Sequence, residues 1–268
     1  MDDASLLAAY DAQLRSVAEM RSTLEYEQHG PLFWGKYRGG RGFVSYRSLG
    51  SPTDVELEQL ILDTVEHYAT DPDITQFEWK TRGHDNVARL HALLTEHGFE
   101  AGEPESVMIG EARALTTHIR LPQGVSLRRV TEHADVEAMT RMQASVFGDP
   151  ETVPERVAAT MQHLDGPDAD GFELWVAEAD GQVVSAGRID PMPGTDFAGI
   201  WGGATLPAWR GRGIYRALTA KRAEAAIRAG KALINSDSTE FSRPILERSG
   251  FRRVTTTTPY TWKRRHHS

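Results

Sequence analysis

The sequence predicts an α+β fold of the mixed α/β kind: a mixed sheet flanked by helices, arranged in two tandem halves. Three observations predict it. Strand-like runs come as hairpin pairs joined by glycine-rich turns, which calls for antiparallel neighbours. A single strand-loop-helix unit at residues 197–229 sits among those hairpins, so the sheet is expected to be mixed. A short segment also recurs: Leu93-Leu94-Thr95-Glu96-His97-Gly98-Phe99 reads like Ile245-Leu246-Glu247-Arg248-Ser249-Gly250-Phe251. Each copy is a helix end, a glycine suited to a left-handed cap, and an aromatic that opens the next strand.

Apolar residues at helical spacing (Leu6, Leu7, Tyr10, Leu14, Val17) predict an amphipathic helix over residues 4–21. Runs at 31–37 and 43–46 flank Arg38-Gly39-Gly40-Arg41-Gly42 and read as a hairpin. A helix at 54–68, a strand at 74–79, a helix at 86–97 closed by Gly98, and a strand at Met108 and Ile109 follow. Leu121-Pro122-Gln123-Gly124 breaks the pattern, which places the domain boundary between 1–121 and 122–268. The second half then runs strand 126–130, helix 134–147, helix 154–164, a hairpin of 172–179 and 182–189 turning at Asp180-Gly181, and strand 197–205. Past a glycine-rich loop come helix 214–229, strand 232–237, short helix 243–248 and a strand near 252–257.

Composition narrows the function. The 268 residues suit two domains, and 40% hydrophobic with 25% charged residues is the balance of a chain that buries a core. No apolar run approaches the roughly 18 to 20 residues that span a bilayer, and the acidic start Met1-Asp2-Asp3 lacks a basic signal flank, so a cytoplasmic protein without membrane contact is expected. The absence of cysteine excludes disulfides, thiolate metal sites and a covalent cysteine intermediate. The ten histidines show no paired ligand spacing, and His266-His267 fall in a basic tail, so no metal is expected. A net charge of -8 argues against nucleic acid. Yet residues 208–231 hold seven basic residues (Arg210, Arg212, Arg216, Lys221, Arg222, Arg228, Lys231) against one acid, Glu224, which points to a local anionic ligand.

Three glycine patterns compete for that ligand. Gly30 to Gly35-Lys36 has the spacing of a nucleoside-triphosphate loop, but Tyr37 stands where a magnesium-binding hydroxyl is required and no helix follows. Residues 38–42 continue into alternating strand and are a hairpin turn. Arg210-Gly211-Arg212-Gly213-Ile214-Tyr215 alone lies between a strand and an alanine-rich helix. There the free N–H groups and positive end of a helix converge, glycines let the backbone approach, and arginines add charge-assisted bonds to phosphate. A dinucleotide fingerprint would need glycine at Arg216.

At these residues the sequence resembles the GNAT superfamily of N-acetyltransferases, whose motif is Arg or Gln, two residues, Gly, one residue, then Gly or Ala. Arg210, Gly213 and Tyr215 occupy the defined places, with Tyr215 large where the family carries a small residue. The resemblance implies acetyl-CoA as cosubstrate. Arg210, Gly211, Arg212, Gly213, Ile214 and Tyr215 would hold its pyrophosphate, and the backbone of Ala204, Thr205 and Leu206 its pantetheine arm. The first half resembles a degenerate copy without the loop, one that shapes the substrate cleft. The acceptor implied is a primary amine of a small molecule, on a monomer or homodimer; a non-catalytic acyl-CoA binding module and an acetyltransferase of protein or peptide amines are the alternatives.

Many members place a proton-donating tyrosine in the helix before the Gly-Phe pair; here that position is Leu246. Tyr215 and Tyr260 are the remaining candidates for the acid, although a thiolate leaving group needs none. Glu240 or Asp237, which follow the strand beside the loop, are the expected base, with Asp190 next, and backbone N–H near Thr205 would polarise the carbonyl.

Overall fold

In the computed structural model, which describes residues 1–15, 17–167 and 169–264, contacts divide the chain into two units. The first holds Met1–Val107, Ser238–Glu240 and the segment from Arg253; the second holds Met108–Asp237 and Phe241–Arg252. The division differs from the boundary expected at 121/122. It falls inside a strand, and it gives the last strand of the chain to the first unit.

The first unit contains α1 (Asp3–Gln13), β1 (Glu25–His29), β2 (Leu32–Tyr37), β3 (Arg41–Tyr46), α2 (Asp54–Thr70), β4 (Gln76–Arg82), α3 (Leu90–Glu96) and β5 (Glu100–Ala101). The chain passes to the second unit along β6 (Glu105–Glu111), then through α4 (Ala112–Leu115), β7 (Val125–Val130), α5 (His133–Phe147), α6 (Val153–Leu164), β8 (Glu173–Ala179), β9 (Gln182–Pro191) and β10 (Phe197–Thr205). Helix α7 (Ile214–Arg228), β11 (Leu233–Ser238) and α8 (Arg243–Arg248) follow, and the chain ends on β12 (Arg252–Lys263), which from Arg253 belongs to the first unit.

In the first unit the strand order is β1-β2-β3-β4-β12, with β5 also on β12. All pairs are antiparallel except β3 with β4. Helices α2 and α3 bury Leu57, Ile61, Tyr68, Leu93 and Leu94 against Val44, Phe77, Trp79 and Tyr260. Helix α2 opens with a capping box between Thr53 and Glu56. The expected helix over 4–21 stops at Gln13, and Val17–Met20 is a 3-10 turn. Arg15, 2% exposed, is drawn into ion pairs with Asp11 at 3.0 Å and Asp85 at 2.9 Å. Strand β1, whose sequence Glu-Tyr-Glu-Gln-His has no apolar alternation, is an exposed edge strand, where charge discourages further pairing. The glycine spacing at Gly30 and Gly35 is a turn and a strand, with Lys36 ion-paired to Glu25 and Asp71.

In the second unit the order is β7-β8-β9-β10-β11, antiparallel except for the β10 and β11 pair, and residues 108–111 of β6 lie beside β11. Asp180 (φ +51°) and Gly181 (φ +75°) make the tight turn between β8 and β9, a left-handed pair whose twist suits a two-residue hairpin. Helices α5 and α6 cover one face through Val136, Met139, Met142 and Val157 against Leu174, Val176, Ala186 and Ala204. Helix α7 covers the other through Ile214 and Leu218 against Ala177, Ala179 and Val184, and through Ala223 and Ala226 near Ile189, Ile200 and Ile234.

The repeated segment is repeated in geometry. Phe99 N–H donates to Leu94 O at 3.0 Å, and Phe251 N–H donates to Leu246 O at 3.0 Å. Gly98 (φ +86°) and Gly250 (φ +105°) are the left-handed residues that make those returns possible. Each phenylalanine is buried in the core of its own unit.

Candidate functional site

Strand β10 positions the loop. Its ladder with β11 consists of Phe197, Ala198 and Gly199 against Leu233, Ile234 and Asn235, so from Ile200 onward the two strands run on without ladder pairs. On its other side the register with β9 shifts between Trp201 and Ala204, which takes Gly202 and Gly203 out of the ladder. Gly202 has φ +64°, and its carbonyl accepts Nε2 of Gln143 on α5 at 2.6 Å. Beyond the bulge, Ser185 Oγ donates to Ala204 O at 2.7 Å, Leu206 N–H donates to Val184 O at 2.9 Å, and Arg210 Nε donates to Thr205 O at 3.0 Å.

A 3-10 turn at Pro207–Trp209 then delivers the chain to Arg210. Gly211 (φ +73°) and Gly213 (φ +79°) are both left-handed, and Gly213 is the N-cap of α7. The first-turn N–H groups of α7 have no carbonyl four residues back, so they point out of the helix at the loop. Arg212 stacks on Trp209 with its guanidinium carbon 4.9 Å from the ring. Arg210, Arg212 and Arg216 are exposed, and among the described residues no carboxylate pairs with any of them. The remaining cations of this segment are structural. Lys221 pairs with Glu224 at 2.8 Å, Arg228 with Glu173 at 3.0 Å, and Lys231 donates to Met192 O and Thr195 O. Arg222 is fully buried on α7, its guanidinium carbon 5.5 Å from the Tyr215 ring, and burial holds its pKa below the ordinary value.

The face of the sheet away from α7 carries the other polar groups. Register sets Arg188 opposite Trp201 and Asp190 opposite Gly199, with Asn235 on the far side of Gly199, so alternation puts all four side chains on one face. Asp237, two residues past Asn235, shares that face and is half-buried. Glu240 is exposed and lies in Ser238–Glu240, the segment that groups with the first unit. Tyr260 belongs to the first unit. It is in the core of the first unit, its hydroxyl 2.9 Å from His91 Nδ1 and its pKa raised by burial, because β12 pairs with β4 and β5 there. Leu246 is 1% exposed in the core with Met108 and Phe251, a position without a proton to give. Among the described residues no group of His, Asp or Glu is placed to hold a metal ion, and no helix is long and apolar enough to cross a membrane; His266 and His267 lie outside the described residues.

The model of the Acetyltransferase (GNAT) family matches residues 136–251, a stretch that begins inside α5 and contains the bulge, the loop and α8. Residues 136–251 are similar to a GNAT acetyltransferase domain. Solved structures with this fold extend past the matched region. A GCN5-related N-acetyltransferase from Kribbella flavida superposes with TM-score 0.72 at 16% identity, covering 99% of this chain and 96% of its own. One from Sphaerobacter thermophilus gives TM-score 0.64 at 17% identity, covering 87% and 76%. A tandem GNAT protein from the clavulanic acid biosynthesis pathway gives TM-score 0.62 at 13% identity, covering 88% and 79%. No curated protein matches the sequence. The GNAT fold therefore spans almost the whole chain, in keeping with two tandem GNAT-like halves of which the second holds the glycine-arginine loop.

Proposed function

We propose that the GNAT domain moves an acetyl group from acetyl-CoA directly to a primary amine of a small molecule. The observation that carries this reading is the meeting of Arg210, Arg212 and Arg216, exposed and without carboxylate partners among the described residues, with two left-handed glycines at the N-terminus of α7. Unpaired guanidinium groups beside free helix N–H groups suit a pyrophosphate. The unladdered stretch of β10 after Gly199 leaves backbone for a pantetheine arm to lie along, and the bulge at Gly202 and Gly203 supplies N–H groups for the thioester carbonyl.

The acceptor arrives as an ammonium ion and must lose a proton. Its nitrogen then attacks the thioester carbonyl, the C–N bond forms as the C–S bond breaks, and CoA leaves as a thiolate that takes up a proton. Asp237 is the favoured base because it shares a face with Trp201, and Asp190 follows for the same reason; Glu240, grouped with the first unit, has less support. The buried Leu246 favours one rival, an acyl-CoA binding module without catalysis.

The test is calorimetric titration with acetyl-CoA, followed by release of free CoA thiol in the presence of a panel of small amines. Binding with amine-dependent thiol release is expected. Binding without release from any amine would establish the rival, and absence of binding would remove the loop from the function.

A further inference from the structure

We propose that the acceptor amine carries a carboxylate and that Arg188 binds it. The inference rests on the acetyl-transfer reading and names the substrate class of that same site.

Arg188 is exposed on β9 and directly opposite Trp201, with its guanidinium carbon 5.8 Å from the ring. It makes no hydrogen bond or ion pair with any described residue, whereas Arg128, Arg228 and the buried Arg82 each hold a carboxylate. A guanidinium stacked on a ring keeps its edge of N–H donors free, and that edge matches a carboxylate in two parallel bonds. The stack is built in. A Cβ at Gly199 would stand 1.7 Å from the indole, so the missing side chain at 199 lets Trp201 lie flat across the strand, next to the bulge. The charges of Asp190 and Arg156 both act on Arg188.

The row Asp190, Gly199, Asn235 supplies the other end of the ligand. Asn235 is 7% exposed, and its Oδ1 has no partner, an acceptor without a donor on the face that carries Asp190. A buried acceptor is costly to leave unmet, and an amine N–H would satisfy it. Positions 188 and 190 on a strand lie about 7 Å apart. A ligand with an amine toward Asp190 and Asn235 and a carboxylate toward Arg188 meets every polar group of the row. An uncharged amine leaves Arg188 unmet.

The experiment compares phenylalanine, leucine and β-alanine, each against its own carboxamide, as acceptors for the full chain with acetyl-CoA. The carboxamide keeps the amine and removes the negative charge. For at least one pair, kcat/KM is expected to favour the carboxylate by about 10- to 100-fold, the scale of charge-assisted hydrogen bonding. Arg188→Ala should collapse that ratio toward one, mostly through KM, and Arg188→Lys should restore part of it. Calorimetric titration with N-acetylphenylalanine in the presence of CoA gives a readout free of turnover, and Arg188→Ala should weaken it at least about tenfold. Transfer to both members of each pair with a ratio that Arg188→Ala leaves unchanged would overturn the carboxylate site and leave the acetyl-transfer reading standing. Arg188-dependent binding of N-acetylphenylalanine without CoA release from any probe would do the reverse.

Discussion

A Cβ at Gly203 would stand 2.7 Å from Cε2 of Tyr215 and 2.8 Å from its hydroxyl oxygen, so the ring of Tyr215 fills the space a side chain at 203 would need. Tyr215 is the residue at which the loop departs from the GNAT motif, and the departure has a partner in the strand. Behind the ring, Arg222 bonds to Leu218 O and Thr219 Oγ1, and it presses so close to Gly187 that a Cβ there would lie 2.5 Å from its Nη1. Two glycines thus make room for two large α7 side chains.

Gly203→Ala should therefore destabilise the protein by about 1–3 kcal/mol, the usual cost of overpacking. It should also weaken acetyl-CoA binding, because the ring it displaces belongs to Tyr215, the last residue of the loop. Tyr215→Ala in the same chain should recover most of both losses. Urea unfolding and calorimetry on the two single variants and the double would show this as a coupling; additive effects would mean that the two residues do not share the space.

The two loop glycines call for different outcomes. Around Gly211 (φ +73°) nothing lies within 4 Å of an added Cβ, so Gly211→Ala meets only backbone strain of about 1–2 kcal/mol. Gly213 (φ +79°) has Ile119 Cγ2 at 3.2 Å from such a Cβ, and it caps α7. Gly213→Asp should abolish acetyl-CoA binding in a protein that still folds, because a carboxylate there opposes phosphate oxygens. Titration showing unchanged affinity in Gly213→Asp would take the loop out of the site.

The second unit was legible in the sequence because its signals are local. The strand before the loop, the glycines within it and the helix after it are each set by neighbours in the chain, and β10 and α8 fall where the pattern puts them. The hidden part depended on distant partners. Strand β1 has no apolar alternation, since an edge strand buries little. Arg89 adopts φ +64°, so the helix expected from residue 86 begins at Leu90, and no glycine or proline announces the turn. Nothing near Tyr260 in the sequence announces that β12 pairs with β4 and places its ring in the core of the first unit. Arg188 carried no signal, because its meaning comes from standing opposite Trp201.

Strand β12 makes the first unit dependent on the end of the chain. Seven residues, Thr257 to Lys263, pair with β4, and Tyr260 belongs to the core beside Phe77 and Trp79. A chain ending at Phe251 should lose cooperative unfolding of the first unit, and residues 1–120 alone should not fold. Circular dichroism and proteolysis would check both, and a protease-resistant 1–120 fragment would show that β12 is dispensable.

A buried ion pair gives the first unit its acid sensitivity. Burial alone would raise the pKa of Glu19, but the Arg82 and Lys80 charges and the Ser45 hydroxyl outweigh it and hold the carboxyl below its ordinary 4.5. A depressed carboxylate contributes stability that is complete above the unfolded value and is lost as pH falls through the folded one. Stability should therefore decline below about pH 4.5, the unfolded-state value for this carboxyl. Glu19→Gln leaves Arg82, 0% exposed, without its anion, which should cost about 3–5 kcal/mol at neutral pH and shrink the acid-dependent loss. Urea unfolding from pH 7 to 3 measures both effects; a variant with the wild-type acid limb would assign the sensitivity to other carboxylates.

The base remains to be fixed among three carboxylates, and their positions give them different expectations. Asp237 ends the second unit's share of β11 on the face of Asn235 and Trp201, and Asp190 stands opposite Gly199 on that face. Glu240 is exposed in a segment of the first unit. Only a carboxylate within reach of the ammonium can take its proton, directly or through one water. Replacement by the amide keeps shape while removing that capacity. Asp237→Asn should lower kcat by roughly 10²-fold or more with acetyl-CoA affinity nearly kept, and Glu240→Gln should change it little. Asp190→Asn carries the distinguishing result. If Asp190 orients the ammonium instead of deprotonating it, KM for the amine rises while the pH profile of kcat keeps its shape. If Asp190 is the base, kcat falls and the profile loses its acid limb. Rates at saturating acetyl-CoA across pH 6 to 9 separate these outcomes, and wild-type profiles in both Asp237→Asn and Asp190→Asn would leave the proton to a water held by backbone at the β10 bulge.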